Sequence, residues 1–219
     1  MVFAVSRIFK KAFILGGYAI GAFLLVIPAH AQFSASREFL ESVKDRDGQK
    51  ATEFIDEPGS GAVLINTRDS SSGKTALHYV VQDRDETWTG FLLAKGANPD
   101  LRDKKGVTPL ILATQLGFTD GVEKLIRFKV DVNGTNRSGE TPLILAVQLN
   151  RIGLVRILMK GGADPDKTDN LAGLSARDYA ARDSRKKAIL AAIESGEKKA
   201  KDEEKPEEEL DFSGIREAS

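Results

Sequence analysis

Gly73-Lys74-Thr75 is the strongest hint of chemistry in this chain of 219 residues, because Gly-Lys-Thr ends the loop that cradles phosphates in nucleotide-binding proteins. That loop needs another glycine five positions earlier, and Arg68 stands there. His78 follows closely, but the only other histidine is His30, and the chain has no cysteine. Zinc ligation and Ser-His or Cys-His catalysis therefore lack their parts. Asp164 and Asp166 are spaced like calcium ligands, yet no glycine-punctuated loop follows them, so they are read as shaping a turn. The sequence predicts no catalytic residue, no metal site and no cofactor: a chain that is not an enzyme.

The surroundings of Gly73 account for it without a nucleotide. Gly73, Gly106 and Gly139 are spaced 33 and 33 residues apart. Lys74-Thr75-Ala76-Leu77-His78 follows the first, Val107-Thr108-Pro109-Leu110-Ile111 the second, and Glu140-Thr141-Pro142-Leu143-Ile144 the third. A decayed copy begins at Gly173 with Leu174-Ser175-Ala176. The second halves also repeat: Phe91-Leu92-Leu93-Ala94-Lys95-Gly96-Ala97-Asn98-Pro99-Asp100 against Ile157-Leu158-Met159-Lys160-Gly161-Gly162-Ala163-Asp164-Pro165-Asp166.

Each repeated feature has a physical role. Thr caps a first helix through its hydroxyl, and Pro takes the first helical position, where a missing N–H costs nothing. Apolar residues three and four apart form that helix's inner face. Gly117 and Gly153 are placed at the turn between the two helices, and Gly96 and Gly162 end the second helix in a left-handed conformation. Trp88, at the start of a second helix, is read as packing between repeats.

This plan of finger and two helices resembles the ankyrin repeat, over about residues 39–195. The resemblance implies an all-α solenoid of about five units including caps, near 39–72, 73–105, 106–138, 139–172 and 173–195. It also implies that His78 hydrogen-bonds backbone in a neighbouring loop. The sequence departs from the family where Ala76 replaces Pro, where Ile111 and Ile144 replace His, and where Lys129 replaces a capping Gly at a cost of roughly 1 kcal/mol. At the ends, Phe39 to Asp56 reads as a degenerate helix pair, and Gly59 to Ser72 as a longer finger containing Val63-Leu64-Ile65. Arg182, Arg185, Lys186 and Lys187 give the last unit a polar outer face, as a terminal repeat requires.

In the family, partners meet the fingertips and the exposed end of each first helix on the concave side. The matching positions are Lys104, Lys105 and Arg137 at the tips, and Lys74, Val107 and Glu140 after each Gly. On the helices they are Gln82, Gln115 and Gln148, with Leu116 and Leu149 following the last two. Three glutamines 33 apart would form a ladder with a rung in each layer, offering amides beside apolar area, a mixture suited to protein recognition. Glutamine recurring simply as a soluble helix former is the competing account.

Charge narrows the partner further. Residues 32–195 carry 24 basic and 23 acidic side chains, without the positive field that non-specific nucleic-acid binding needs. Residues 1–31 carry only Arg7, Lys10 and Lys11 as charges, ahead of an uncharged run from Ala12 to Ile27 and then Pro28-Ala29-His30-Ala31. This is the layout of a secretory signal peptide, with cleavage expected after Ala31. Sixteen residues span about 24 Å as a helix, short of the roughly 30 Å membrane core.

Residues 196–219 hold 5 basic and 9 acidic side chains and read as a charged disordered tail or a frayed helical extension. Leu210, Asp211 and Phe212 interrupt its charge as a short docking motif would, but the composition favours a simple solvated tail. The expectation is a monomeric periplasmic module, from 32 to 195, that binds another protein. The alternatives are an envelope adaptor held at the membrane by a retained N-terminal segment, and a regulatory piece of a periplasmic enzyme.

Overall fold

The computed structural model describes residues 29–203, with side chains from 34 to 200. The expected signal peptide, up to residue 28, and the tail from 204, with Leu210, Asp211 and Phe212, lie outside the described residues. Internal contacts divide the chain into Met1–Gln32 and Phe33–Ser219, and the second unit holds the helical array. The expected cleavage point after Ala31 falls within the first helix, α1, which spans Ala29–Lys44. Among the described residues no helix is long and apolar enough to cross a membrane.

Repetition of sequence becomes repetition of structure. After α1 come α2 (Gly48–Ile55), α3 (Gly61–Leu64), α4 (Ala76–Gln82), α5 (Glu86–Ala94), α6 (Pro109–Leu116), α7 (Thr119–Arg127), α8 (Pro142–Gln148), α9 (Ile152–Lys160), α10 (Ala176–Ala181) and α11 (Lys187–Glu203). Among the described residues there is no strand, only one isolated bridge between Thr168 and Ser175. The first helices α4, α6, α8 and α10 stack as one layer, and α5, α7, α9 and α11 as the other.

The caps act as their residue types dictate. Thr108 Oγ1 accepts the Ile111 N–H at 3.3 Å and Thr141 Oγ1 that of Ile144 at 3.1 Å, with Pro109 and Pro142 at the first helical positions. Ser175 and Asp178 cap α10 reciprocally. Between the layers, Leu77, Leu110 and Leu143 are wholly buried, as are Leu92, Leu125 and Leu158. Each sextet member contributes roughly 2–3 kcal/mol of apolar burial that its unit could not secure without neighbours.

The second helices end in left-handed residues Gly96 (φ 92°), Lys129 (φ 58°) and Gly162 (φ 87°). The turn between helices uses Arg84 (φ 56°), Gly117 (φ 68°) and Asn150 (φ 54°), again 33 apart. Gly153, expected at this turn, instead lies in the first turn of α9. Asn150 takes the position because a short amide side chain tolerates the left-handed region.

The two ends add detail to the expected units. Gly59 to Ser72 is not simply a long finger: Gly61–Leu64 forms the helical turn α3, seated so closely on α2 that a Cβ at Gly61 would lie 1.7 Å from the Ile55 carbonyl oxygen. From residue 196 the sequence left a disordered tail or a frayed helical extension open, and α11 runs on to Glu203. Gly196 lets it lie against Met159, where a Cβ would meet Met159 Cβ at 2.8 Å, and Lys and Glu favour continued helix. At the N-terminal end Phe39 packs edge-on to Phe54, 6.3 Å between centroids. Arg46 clips this cap to the array, bonding Asp83 at 2.8 Å and Asp85 at 2.7 Å beneath the Trp88 ring.

Candidate protein-binding face

The fingers are built by carboxylates and amides that the sequence reading passed over: Asp69, Asp103, Asn136 and Asp169. In each, one side-chain oxygen accepts the N–H of the residue two ahead, for example Lys105 N at 2.8 Å and Ser138 N at 2.9 Å. Their own N–H groups close the finger onto the carbonyls of Lys74, Val107, Glu140 and Leu174. Donated hydrogen bonds stabilise the ionised form, and those from Ser71 and Ser72 hold the Asp69 carboxyl far below its usual range. The signal was present, since Asp103 and Asn136 each stand three residues before their Gly.

The left-handed glycines seat the next finger. A Cβ on Gly73 would meet the Lys104 backbone N at 2.8 Å, one on Gly106 Arg137 Cγ at 2.8 Å, and one on Gly139 the Asn170 backbone N at 2.7 Å. Lys104 N donates to Ser72 O at 2.9 Å, and Asn170 N to Ser138 O at 2.8 Å. Tip residues of one unit thus rest on the backbone of the unit before.

His78 couples fingers from below. It is wholly buried; its Nε2 is 2.9 Å from Val107 O, and its Nδ1 is 3.2 Å from Thr75 N and 2.8 Å from Thr75 Oγ1. A carbonyl can only accept and a backbone N–H can only donate, so Nε2 carries the proton and Nδ1 is bare. Burial lowers the imidazole pKa, outweighing the Val107 carbonyl that raises it. A neutral imidazole with both nitrogens engaged is a joint between units.

The expected contact residues divide into engaged and open groups. Lys74 is hydrogen-bonded to Gln82 and lies 5.8 Å from the Tyr79 ring. Lys104 Nζ donates to Ser70 O at 2.5 Å, and Glu140 accepts from Asn136 Nδ2 at 2.7 Å. Gln148 is half-buried beside the Tyr179 hydroxyl, which donates to Asp169 at 2.6 Å. The glutamine ladder is therefore not three equal free amides. Gln82 and Gln148 have local partners, while Gln115 is exposed with no side-chain hydrogen bond among the described residues.

Lys105 and Arg137 are likewise exposed, and their charged heads are unpaired among the described residues. Val107 and Leu116 are half-buried, and Leu149 is 44% exposed. Leu171, which the sequence reading did not single out, is 80% exposed beside the tip residue Asn170. Among the described residues no group of three His, Asp or Glu side chains is arranged to hold a metal.

The family model for ankyrin repeats, in three copies, matches residues 77–169. A fowlpox virus (strain NVSL) protein named for its ankyrin repeats is 36% identical over 75 residues, which are 34% of this chain and 22% of that protein. Human transient receptor potential cation channel subfamily A member 1 is 34% identical over 114 residues, 47% of this chain and 10% of its own length. The yeast (Saccharomyces cerevisiae) oxysterol-binding protein homolog 1 is 33% identical over 86 residues, 39% of this chain and 7% of its own. The chain thus spans less than a quarter of each of these relatives, and what they share with it is the repeat. Ankyrin repeats generally mediate protein–protein interaction and are typically non-catalytic. The 33-residue period, the capped helix pairs, the seated fingers and the family match agree: residues 77–169 of this chain are ankyrin repeats.

Proposed function

We propose that this chain is an exported, monomeric, non-catalytic module of the periplasm that binds another protein through its fingertips and the exposed ends of its first helices. The observation that carries the reading is the pairing of rigid seats with open heads. Arg137 has its stem against Gly106 and Lys105 stands beside a finger closed by Asp103, yet among the described residues both charged ends are free for a partner. Gln115, Leu116 and Leu149 add an amide and apolar area on the same layer, the mixture that protein interfaces use. Two exposed cations on ordered stems favour an acidic protein surface and raise its association rate more than its residence time.

The export half of the reading rests on the N-terminal charge and hydropathy pattern alone. Mass spectrometry of protein recovered from the exporting cell tests it, with a mature N-terminus at Gln32 expected. A retained Met1 would instead favour the tethered adaptor. The binding half is tested by affinity capture from envelope extract, followed by stopped-flow association with the captured protein. Changing Lys105 and Arg137 together to Glu should slow association and flatten its salt dependence while leaving the melting temperature unchanged. An unaltered association rate would remove this face from consideration.

A further inference from the structure

The second-helix face carries two shallow grooves, one between α7 and α9 and one between α9 and α11. Ile126 and Ile157, both half-buried, floor the first, flanked by Arg127, Lys160 and Glu123. The second runs over Met159 between Arg156, Lys160 and Lys199. Four cations thus face one carboxylate. Arg127, Arg156, Lys160 and Lys199 make no hydrogen bond or ion pair among the described residues, whereas Arg37, Arg46, Lys95, Lys124 and Arg177 all do. Phe128, at the end of α7, is 44% exposed. An apolar floor ringed by unpaired cations fits an acidic segment interrupted by large apolar residues.

The chain itself supplies such a segment: Glu207-Glu208-Glu209-Leu210-Asp211-Phe212. We propose that this segment folds back onto the second-helix face, placing Leu210 and Phe212 over Ile126 and Ile157 and the carboxylates beside Arg127 and Lys160. Reach permits it. Lys199 and Ala200 already line the α9/α11 groove, so α11 delivers the chain beside its target. Residues 204–206 cover about 10 Å when extended, the separation of neighbouring packed helices. Pro206, which lacks a backbone N–H and disfavours helix before it, provides the point where the direction can change. The segment so placed shields an apolar strip that would otherwise invite unselected contacts, and leaves the finger face open.

The chain's lack of cysteine makes the test clean, because Ser213→Cys introduces a single site for a paramagnetic label. In the full chain, amide signals of Arg127, Phe128, Ile157 and Lys160 should lose intensity, to the same extent at every protein concentration. Arg127→Glu with Lys160→Glu should restore them, as should Glu207→Lys with Glu208→Lys and Glu209→Lys. Both groove positions are exposed and, among the described residues, unpaired, so the first variant keeps its fold. Losses centred on Lys105 and Arg137 would place the segment on the finger face and overturn the proposal. So would an even loss over the surface, no loss at all, or a loss that grows with concentration, the mark of a second copy's tail.

Discussion

Replacing His78 by Ile should change how stability depends on pH more than it changes stability itself. Ile occupies the equivalent position in the next two units, where Ile111 and Ile144 are wholly buried, so the substitution has a tested shape. At pH 7.5 the variant loses the bonds to Val107 O and Thr75 N. Val107 O keeps its bond from Asp103 N, so the loss is about 1 kcal/mol.

In the folded protein burial lowers the imidazole pKa below its ordinary 6.5. As pH falls through 6.5, the unfolded chain takes up a proton that the folded chain refuses, and stability is lost. The contribution is therefore present above pH 6.5 and declines below it, at up to about 1.4 kcal/mol per pH unit. Urea melts at pH 7.5 and 5.5 measure the gap between the two proteins. The wild type should be ahead by about 1 kcal/mol at pH 7.5, and by pH 5.5 the difference should move against it by up to about 1.4 kcal/mol, enough to erase the lead. His30 is common to both and cancels. The lowered pKa values of Asp69, Asp85, Asp169, Asp178 and Asp183 put their titration below this window. A gap that stays constant would refute the picture of a buried neutral joint.

Three other substitutions probe the frame. Gly139→Ala forces a Cβ to 2.7 Å from the Asn170 backbone N at φ 78°, and should cost at least about 2 kcal/mol in a urea melt. Lys129→Gly relieves a left-handed side-chain residue at φ 58° and should gain about 0.5–1 kcal/mol by the same measurement, with binding unchanged. Leu125→Ala opens a cavity midway along the array and should cost about 2–5 kcal/mol, with a single cooperative transition giving way to two in a calorimetric scan.

Much of the scaffold can be read from local chemistry, because the Thr caps, the Pro positions and the left-handed glycines each act within a few residues of themselves. Lys129 and Gly162 behave as their place in the repeat predicts. Gly153 misled because two residue types compete for the left-handed turn, and Asn150 could take it three positions earlier. The end of α11 stayed open between helix and disordered tail for another reason. A Lys/Glu-rich stretch has ample helix propensity but no visible partner until Gly196 is seen against Met159. The glutamine ladder shows the limit most sharply. Periodicity places Gln82, Gln115 and Gln148 alike, while the neighbours Lys74 and Tyr179, different in each unit, decide which amide remains available.

The seats at Gly73, Gly106 and Gly139 separate where a fingertip side chain starts from what it terminates in. Lys104, Arg137 and Asn170 occupy equivalent berths with an amine, a guanidinium and an amide. Evolution can therefore exchange one terminal group for another with little disturbance to the stack, so that recognition diverges while the architecture is inherited unchanged.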